Sequence, residues 1–387
     1  MTSTAPTTLR PTTPKEVRDA VLDTPGRLAV TGAGTAYDWA GRPAPTDATL
    51  DLSGLSGVIH HNPGDMTVSV HAGTPLREFA DEVGEHGQRL AFDAGRVARG
   101  ATVGGLVATA DAGPSALVYG GMRDLVIGTT TVLADGTMVR SGGHVIKNVA
   151  GYDVAKLLHG SYGTLGVLVE VVLRLHPVPK ATATVAVGCG LDDAAAHAVR
   201  LAESPLEPIA CEWISEDAGT AARLLVRLEG GETTLPDRVG RLVELLGDGA
   251  HEVDAAVWDE HAALTAGLPT EGSDAVPEVT GPRQGAVVRI GTMPARLPSL
   301  VGGLPTTGVT AGLLTGVATV TVPDASVAET HDAVAAVNGT SALRDRPDAL
   351  DAPAWGPAPS GVAVLKAIKN QLDPEDRLCP GRFDPWM

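Results

Sequence analysis

The sequence has little sulfur, few aromatic rings and few basic side chains, and each scarcity excludes something. Its three cysteines, Cys189, Cys211 and Cys379, stand far apart and form no Cys-x-x-Cys pair. This argues against an iron–sulfur cluster, a zinc site or a disulfide framework in this chain. Aromatic residues make up 3% of the chain, too few to supply stacking platforms for bases. Lys and Arg together number 29 against 46 Asp and Glu, a net charge of −17 that opposes binding to nucleic acid or anionic lipid heads. No apolar run approaches the roughly 18 residues needed to span a membrane, which leaves room only for peripheral association. The opening "MTSTAPTTLRPTTPKEV" lacks a signal-like apolar core, so a cytoplasmic location is expected. The 11 histidines include no His-Glu-x-x-His motif, and the adjacent His60 and His61 point to opposite faces of a strand. No metal site is expected.

What the chain does have is length and glycine. At 387 residues it exceeds the roughly 250–300 at which a single core stops growing, so two domains are expected. Its 47 glycines cluster at the ends of apolar runs, where a backbone without Cβ turns sharply or approaches a ligand closely. The densest stretch runs from Gly95 to Pro179. In "ATVGGLVATA", Thr102 reads as an N-cap and Gly104 and Gly105 open a short helix whose free N–H groups would form an anion site. "DLVIGTTTVLADGTMVRSGG" reads as a hairpin turning at Asp135 and Gly136. Asp153 reads as the cap of a helix that Gly160 ends, and Val167, Val169, Val171, Leu173 and Leu175 share one face of a long strand.

Residues 1–13 read as loose and Thr/Pro-rich, and a helix follows from Pro14. "RLAVTGAGTAYDWAGRP" is a short strand entering a glycine turn. It is not a dinucleotide fingerprint of the Rossmann kind, because Tyr37 occupies the third glycine position and Pro43 and Pro45 fall where the helix should run. Thr74 and Pro75 read as the N-cap and first residue of a helix carrying Leu76, Phe79 and Val83. Beyond Pro177 and Pro179 the composition changes. Two rounds of strand and helix follow, the first from Thr182 to Gly247 and the second from Gly285 to Val337, suggesting a ferredoxin-like α+β cap. Arg289 stands in the middle of an apolar strand there. Residues 341–360 read as loop, and "VAVLKAIKNQLDP" reads as a last helix.

The segments "ATVGGLVAT", "YGGMRDLVIG", "GGHVIKNVAGYDVAKLLHGSYGTLGVLVEV" and "LKAIKNQLDPEDRLCPGRF" resemble the PCMH-type (vanillyl-alcohol-oxidase-type) FAD-binding flavoproteins, and within them the E subunits of bacterial glycolate oxidases. The resemblance implies an α+β fold: an FAD-binding domain over residues 14–178, a cap over 181–355, and a tail over 356–387 returning to the FAD domain. It implies that Thr31, Gly32, Ala33, Gly34 and Thr35 wrap the diphosphate of FAD with main-chain amides. Phe92 and Asp93 would border the flavin. Ala101, Thr102, Val103, Gly104 and Gly105 would line the diphosphate and ribityl chain. Thr109, Gly113, Tyr119, Gly120, Arg123 and Asn148 are further implied contacts, and Gly163, Leu165, Gly166 and Val167 would close over the ring. The family's covalent flavin histidine is missing from the first loop, so FAD is expected to be non-covalent. Ala110 and Ala112 replace the Asn and small polar residue usual in the family, and Cys379 replaces an Asn in the closing tail.

The block around Lys147, Asn148 and Tyr152 brings a cation, an amide and a phenol together. These would donate to a developing anion or relay a proton, with Arg289 from the cap as a third candidate catalytic group. The alternative is that Lys147 pairs with Asp153 and Tyr152 is packed with its hydroxyl satisfied. Likewise, Arg123 either binds an anion or pairs with Asp124. Relatives that oxidise 2-hydroxy acids directly carry a metal-binding "GHxGDGNxH"-like segment in the cap; it is absent here. The resemblance therefore implies a subunit that shares oxidation of a 2-hydroxy acid, of the glycolate or D-lactate type, with a catalytic flavoprotein subunit and an iron–sulfur subunit. The alternatives are a flavin-binding scaffold and an autonomous FAD-dependent sugar or alcohol oxidase.

Overall fold

The computed structural model describes residues 6–145, 152–216, 220–266, 285–347 and 349–387. The first half opens with β1 (Thr7–Leu9), α1 (Pro14–Asp23), β2 (Leu28–Thr31) and β3 (Ala48–Asp51). These strands form a small parallel sheet in the order β1-β3-β2. The helix starts where the Thr13 hydroxyl accepts from the Glu16 amide, and its Val17 and Val21 are fully buried. There follow β4 (Val58–Asn62), β5 (Thr67–His71), α2 (Leu76–Gly84), β6 (Gln88–Arg89), α3 (Val103–Ala108), α4 (Ala116–Tyr119), α5 (Met122–Leu125), β7 (Val126–Val132), β8 (Met138–Gly142), α6 (Ala155–Leu158), β9 (Val167–Arg174) and β10 (His176–Pro177).

Five of these strands build an antiparallel sheet, β4-β5-β9-β7-β8, with β9 at its centre. The five residues expected on one face of β9 are instead divided between two faces, because the register shifts between Thr130 and Thr131 of β7, opposite Glu170 and Leu168. Val167 and Val169 pack with Val17, Val21, Leu28 and Leu50, while Val171, Leu173 and Leu175 pack with Phe79, Val103 and Leu106. One strand thus joins the two layers of the first half. The hairpin between β7 and β8 turns at Asp135 and Gly136 as the sequence indicates, with the Asp135 carboxylate accepting from the Thr137 amide at 2.8 Å.

Two expected caps are otherwise employed. Pro75 occupies the N-cap of α2, and the Thr74 hydroxyl instead bonds the His71 carbonyl at 2.7 Å and accepts from the Gly57 amide at 2.9 Å. Val154 occupies the N-cap of α6, and the Asp153 carboxylate lies 4.0 Å from Lys156.

The second half comprises β11 (Ala181–Gly188), α7 (Leu191–Ala202), β12 (Ala210–Glu216), β13 (Thr220–Gly230), α8 (Leu235–Leu246), β14 (His251–Val253), α9 (Val257–Thr265), β15 (Ala286–Gly291), α10 (Leu297–Gly302), β16 (Gly308–Gly312), β17 (Val317–Val322), α11 (Val327–Ala336), β18 (Thr340–Leu343) and α12 (Val362–Leu372). The eight strands form one antiparallel sheet, β14-β11-β13-β12-β16-β17-β15-β18. Its halves have the same order, fourth-first-third-second strand, which is the ferredoxin-like arrangement written twice and fused where β12 meets β16.

The chain then returns to the first half. Arg377 and Cys379 bracket Leu28, through a 2.7 Å bond from the Leu28 amide to the Arg377 carbonyl and a 2.8 Å bond from the Cys379 amide to the Leu28 carbonyl. The buried Lys369 ammonium bonds Asp373 at 2.6 Å and the Thr164 carbonyl at 3.0 Å. Among the described residues no helix is long and apolar enough to cross a membrane.

Candidate functional site

Three backbone turns meet in a cleft of the first half that encloses about 830 Å³ including its open mouth. Its walls are the loop after β2, the start of α3 and the segment before β9, with Arg96 and Arg382 also in the lining. The turns touch one another. A Cβ added to Gly32 would lie 2.4 Å from the Thr102 hydroxyl, so that position admits no side chain without displacing the α3 cap. Gly34 needs its glycine for another reason: its φ is +71°, and the space beside it is open.

The amides available to a ligand differ from those expected at α3. The Val103 and Gly104 N–H groups donate to the Thr74 and Ala72 carbonyls at 2.9 and 2.8 Å, and that of Gly105 to the Thr102 hydroxyl at 3.3 Å. The helix start is therefore internally satisfied. By contrast, among the described residues the amides of Ala33, Gly34, Thr35 and Gly163 donate to no protein acceptor. Unengaged amides beside two guanidiniums suit the diphosphate of a dinucleotide, so the donor set fits FAD.

Behind the cleft lies a buried ion cluster that spans the two halves. Arg96 donates to Asp111 at 3.0 Å, to the Thr35 hydroxyl at 3.0 Å and to the Thr109 hydroxyl at 2.6 Å. Arg344, from the end of the cap sheet, donates to the other Asp111 oxygen at 2.8 Å. The Trp39 ring lies between the two guanidiniums, 4.0 Å from Arg96 and 3.9 Å from Arg344, and its N–H donates to Asp345 at 3.2 Å. Burial raises the Asp111 pKa, but Arg96, Arg344 and Arg289 outweigh it and hold the carboxyl well below the usual carboxylate range. Burial lowers Arg289 to about 9, with Arg344 acting in the same direction. Burial also raises Tyr162, which lines the cleft.

Of the residues singled out in the sequence, Thr31, Gly32, Ala33, Gly34, Thr35, Thr102, Gly104, Gly105, Thr109, Gly163 and Gly166 line the cleft together. Others stand behind it or elsewhere. Ala101, Val103, Leu165 and Val167 are core residues whose side chains pack under the turns. Phe92 packs against the same core, while Asp93 pairs with Arg227 of β13 at 2.5 Å and accepts from Ser115. The Tyr119 hydroxyl donates to Glu229 at 2.8 Å and accepts from Arg89, joining the halves. Gly120 turns over Asp124, and the Arg123 carbonyl accepts from Lys156. These last residues miss the cleft because the chain from Pro114 to Leu125 winds into two short helical turns beneath the cap.

Gly113 lines a second, smaller chamber with Arg289, on the cap side of Asp111. Tyr152 is 92% exposed, so its phenol is not sequestered from water as a proton relay would require. Lys147 and Asn148 lie outside the described residues. The residues that sequence reasoning passed over are Arg96, Asp111, Tyr162 and Arg382. For the first two the signal was charge set in the Gly/Ala-rich runs "AGRVARGA", with Arg96 and Arg99, and "TADAGP", with Asp111 alone.

A cleft of free main-chain amides in an antiparallel α+β domain, covered by a doubled ferredoxin-like cap, defines an FAD-binding flavoprotein. Residues 5–142 match the family described as FAD binding domain. The first part of the chain carries this FAD-binding domain, of the PCMH type, and the cofactor it is built for is FAD. It is 35% identical to glycolate oxidase subunit GlcE of Escherichia coli over 247 residues, 64% of this chain and 66% of that protein. It is 35% identical to mitochondrial D-lactate dehydrogenase (cytochrome) 1 of Saccharomyces cerevisiae over 171 residues, 44% of this chain and 29% of that one. With D-2-hydroxyglutarate dehydrogenase of Xanthomonas citri it shares 34% identity over 161 residues, 41% of this chain and 32% of that one. The matched stretch thus spans from under a third to just under two thirds of these relatives' own length. The solved structure of alkyldihydroxyacetonephosphate synthase shares the fold, with a TM-score of 0.66 at 15% identity, covering 96% of this chain and 75% of that one.

Proposed function

We propose that the chain is an FAD-dependent oxidoreductase subunit acting in the oxidation of a small 2-hydroxy acid of the glycolate or D-lactate type. The observation that carries the reading is the cleft, where free amides are lined up with Arg96 and Arg382 beside a buried cluster rich in positive charge. Relatives named as glycolate oxidase subunits and D-lactate dehydrogenases support the substrate class. The Gly32–Thr35 turn and Gly163 would hold the diphosphate, with no covalent bond to the protein. The flavin, when bound, accepts the two electrons of the CH–OH group.

With no cysteine cluster of its own, the chain would pass electrons to a separate iron–sulfur subunit, beside a catalytic flavoprotein subunit, in the cytoplasm. The test is co-expression with the two partners, followed by anaerobic addition of glycolate or D-lactate. Co-purification with bleaching of this chain's flavin supports the reading; full glycolate turnover by the isolated chain would exclude the division of labour. A second reading, a flavin-binding scaffold, is favoured by Ala110 and Ala112 at positions the family fills with polar groups. Electron exchange between this chain's flavin and a partner flavin would exclude it.

A further inference from the structure

Aromatic rings are scarce in this chain, yet one wall of the cleft is backed by a stack of them. Of 5 Trp, 4 Tyr and 3 Phe, Tyr162, Trp355, Phe383 and Trp386 meet in one place. Trp355 and Phe383 lie face to face, 5.1 Å apart with 8° between their planes. Each meets the Tyr162 ring almost at right angles, at 5.7 and 5.8 Å, and Trp386 abuts Trp355 at 5.0 Å. Among the described residues none of the four belongs to the hydrophobic cores of either half. The stack is therefore a separate body, made by the FAD domain, the chain leaving the cap and the tail, and of its members Tyr162 lines the cleft.

Tyr162 is the anomaly. Its φ is +51°, a left-handed conformation that is costly for a bulky side chain and persists only where the surroundings impose it. Gly163 follows at φ +78°. The peptide between them carries the Gly163 amide, one of the unengaged donors of the cleft, so whatever holds Tyr162 also aims that donor. Two things hold it: the 2.8 Å bond from its own amide to the Ala108 carbonyl, and the two rings against its phenol. Among the described residues the Tyr162 hydroxyl has no hydrogen-bond partner, which leaves the ring contacts to fix the side chain. The tail supports the same turn twice more. A Cβ on Gly163 would lie 3.0 Å from the Cys379 sulfur, and the Trp355 indole donates to the carbonyl of the cleft-lining Arg382 at 3.1 Å.

We infer that the stack is a cofactor clamp: Trp355 and Phe383 grip Tyr162 in its left-handed conformation and so keep the Gly163 amide turned to receive the diphosphate of FAD. A site already held in its bound form loses less freedom when the ligand arrives, so the clamp sets how tightly and how long FAD is retained. Tyr162, Trp355 and Phe383 are positioning residues in this scheme. The inference rests on the FAD site and is independent of the substrate.

The test is the rate of FAD release from the loaded full chain, followed by flavin fluorescence after dilution, together with the melting temperature of the FAD-free chain by calorimetry. Phe383→Leu and Trp355→Leu each remove at least two ring contacts and should release FAD on the order of 10-fold faster than wild type. The melting temperature of the FAD-free chain should fall by no more than about 3 °C, because the rings lie outside both cores. A second pair of variants isolates the backbone. Tyr162→Ala and Tyr162→Gly both lose the ring, but glycine adopts a positive φ freely and alanine does not, so Tyr162→Gly should release FAD roughly 5-fold more slowly than Tyr162→Ala. A role confined to packing would make those two alike. Release unchanged in both Leu variants, or equal release from Tyr162→Ala and Tyr162→Gly, overturns the inference, as does faster release seen only where the FAD-free chain has lost its stability. Should Trp355→Leu fail to fold, Phe383→Leu and the alanine and glycine variants decide it.

Discussion

Replacing Asp111 by Asn keeps the shape of the side chain and removes the one carboxylate that Arg96 and Arg344 share. The carboxylate accepts at 3.0 Å from Arg96 and at 2.8 Å from Arg344, and both pairs are 3–4% exposed, so solvent cannot take its place. Breaking a buried ion pair by removing one partner costs about 3–5 kcal/mol, because the remaining charge is stranded. With about 2–4 °C of melting temperature per kcal/mol for domains of 150–250 residues, Asp111→Asn should lower the Tm by about 6–20 °C. Differential scanning calorimetry reads this directly.

Adding Arg344→Met removes one stranded charge and should restore part of the loss, so the two changes are strongly non-additive. The folded-state pKa of Asp111 is depressed, so its contribution is fully present above the ordinary carboxylate pKa and disappears only as pH falls through the lower folded value. The deficit of the mutant should therefore persist from pH 8 down to pH 4. A drop of less than about 2 °C, or additivity with Arg344→Met, would refute the view that this cluster holds the two halves together.

Gly32→Ala puts a methyl into the Thr102 hydroxyl that caps α3; a loss of about 1–3 kcal/mol with weakened FAD binding is expected, read by urea unfolding and flavin fluorescence. Tyr152→Phe should leave FAD affinity and turnover within about twofold of wild type, because the phenol is 92% exposed; a larger loss in turnover would return it to the list of catalytic groups. Burial, helped by the Arg123 guanidinium, lowers His159 to about 4, so between that value and its ordinary value near 6.5 the unfolded chain binds a proton that the folded chain does not. Stability should fall with acidification across that window by up to roughly 3 kcal/mol, and His159→Asn should flatten the slope; an unchanged slope in urea unfolding from pH 7 to pH 4.5 would contradict the assignment.

The central strand and the β7–β8 hairpin were legible because each has a local cause: a long β-branched apolar run in Val167–Leu175 and an Asp-Gly turn. The glycine turns were legible as a group because a chain without side chains at those points has few other uses for them. Less visible were β14, β16 and β18. Three residues, "GVTAG" and a segment running into Pro- and Asp-rich chain carry almost no pattern of their own; β14 and β18 are strands because the sheet beside them offers an edge, and β16 because β12 and β17 pair with it on both sides. The anion donors at α3 were misplaced for a similar reason. A sequence shows where a helix begins, but not that Ala72 and Thr74 have already supplied the acceptors. Arg96 and Asp111 gave only their charge; their role appears when residues 233 positions apart, Asp111 and Arg344, are brought together.

The return of the tail has a consequence for synthesis. The amide of Val30, at the root of the first turn, bonds the sulfur of Cys379, a partner 349 residues later. At about 5–20 residues per second, a ribosome takes roughly 17–70 s to deliver that partner after the first turn has emerged. Leu28 and Leu50, fully enclosed in the finished protein, share a core with Leu378 and stay uncovered on that side throughout the interval. During that interval the nascent chain presents an apolar surface to chaperones.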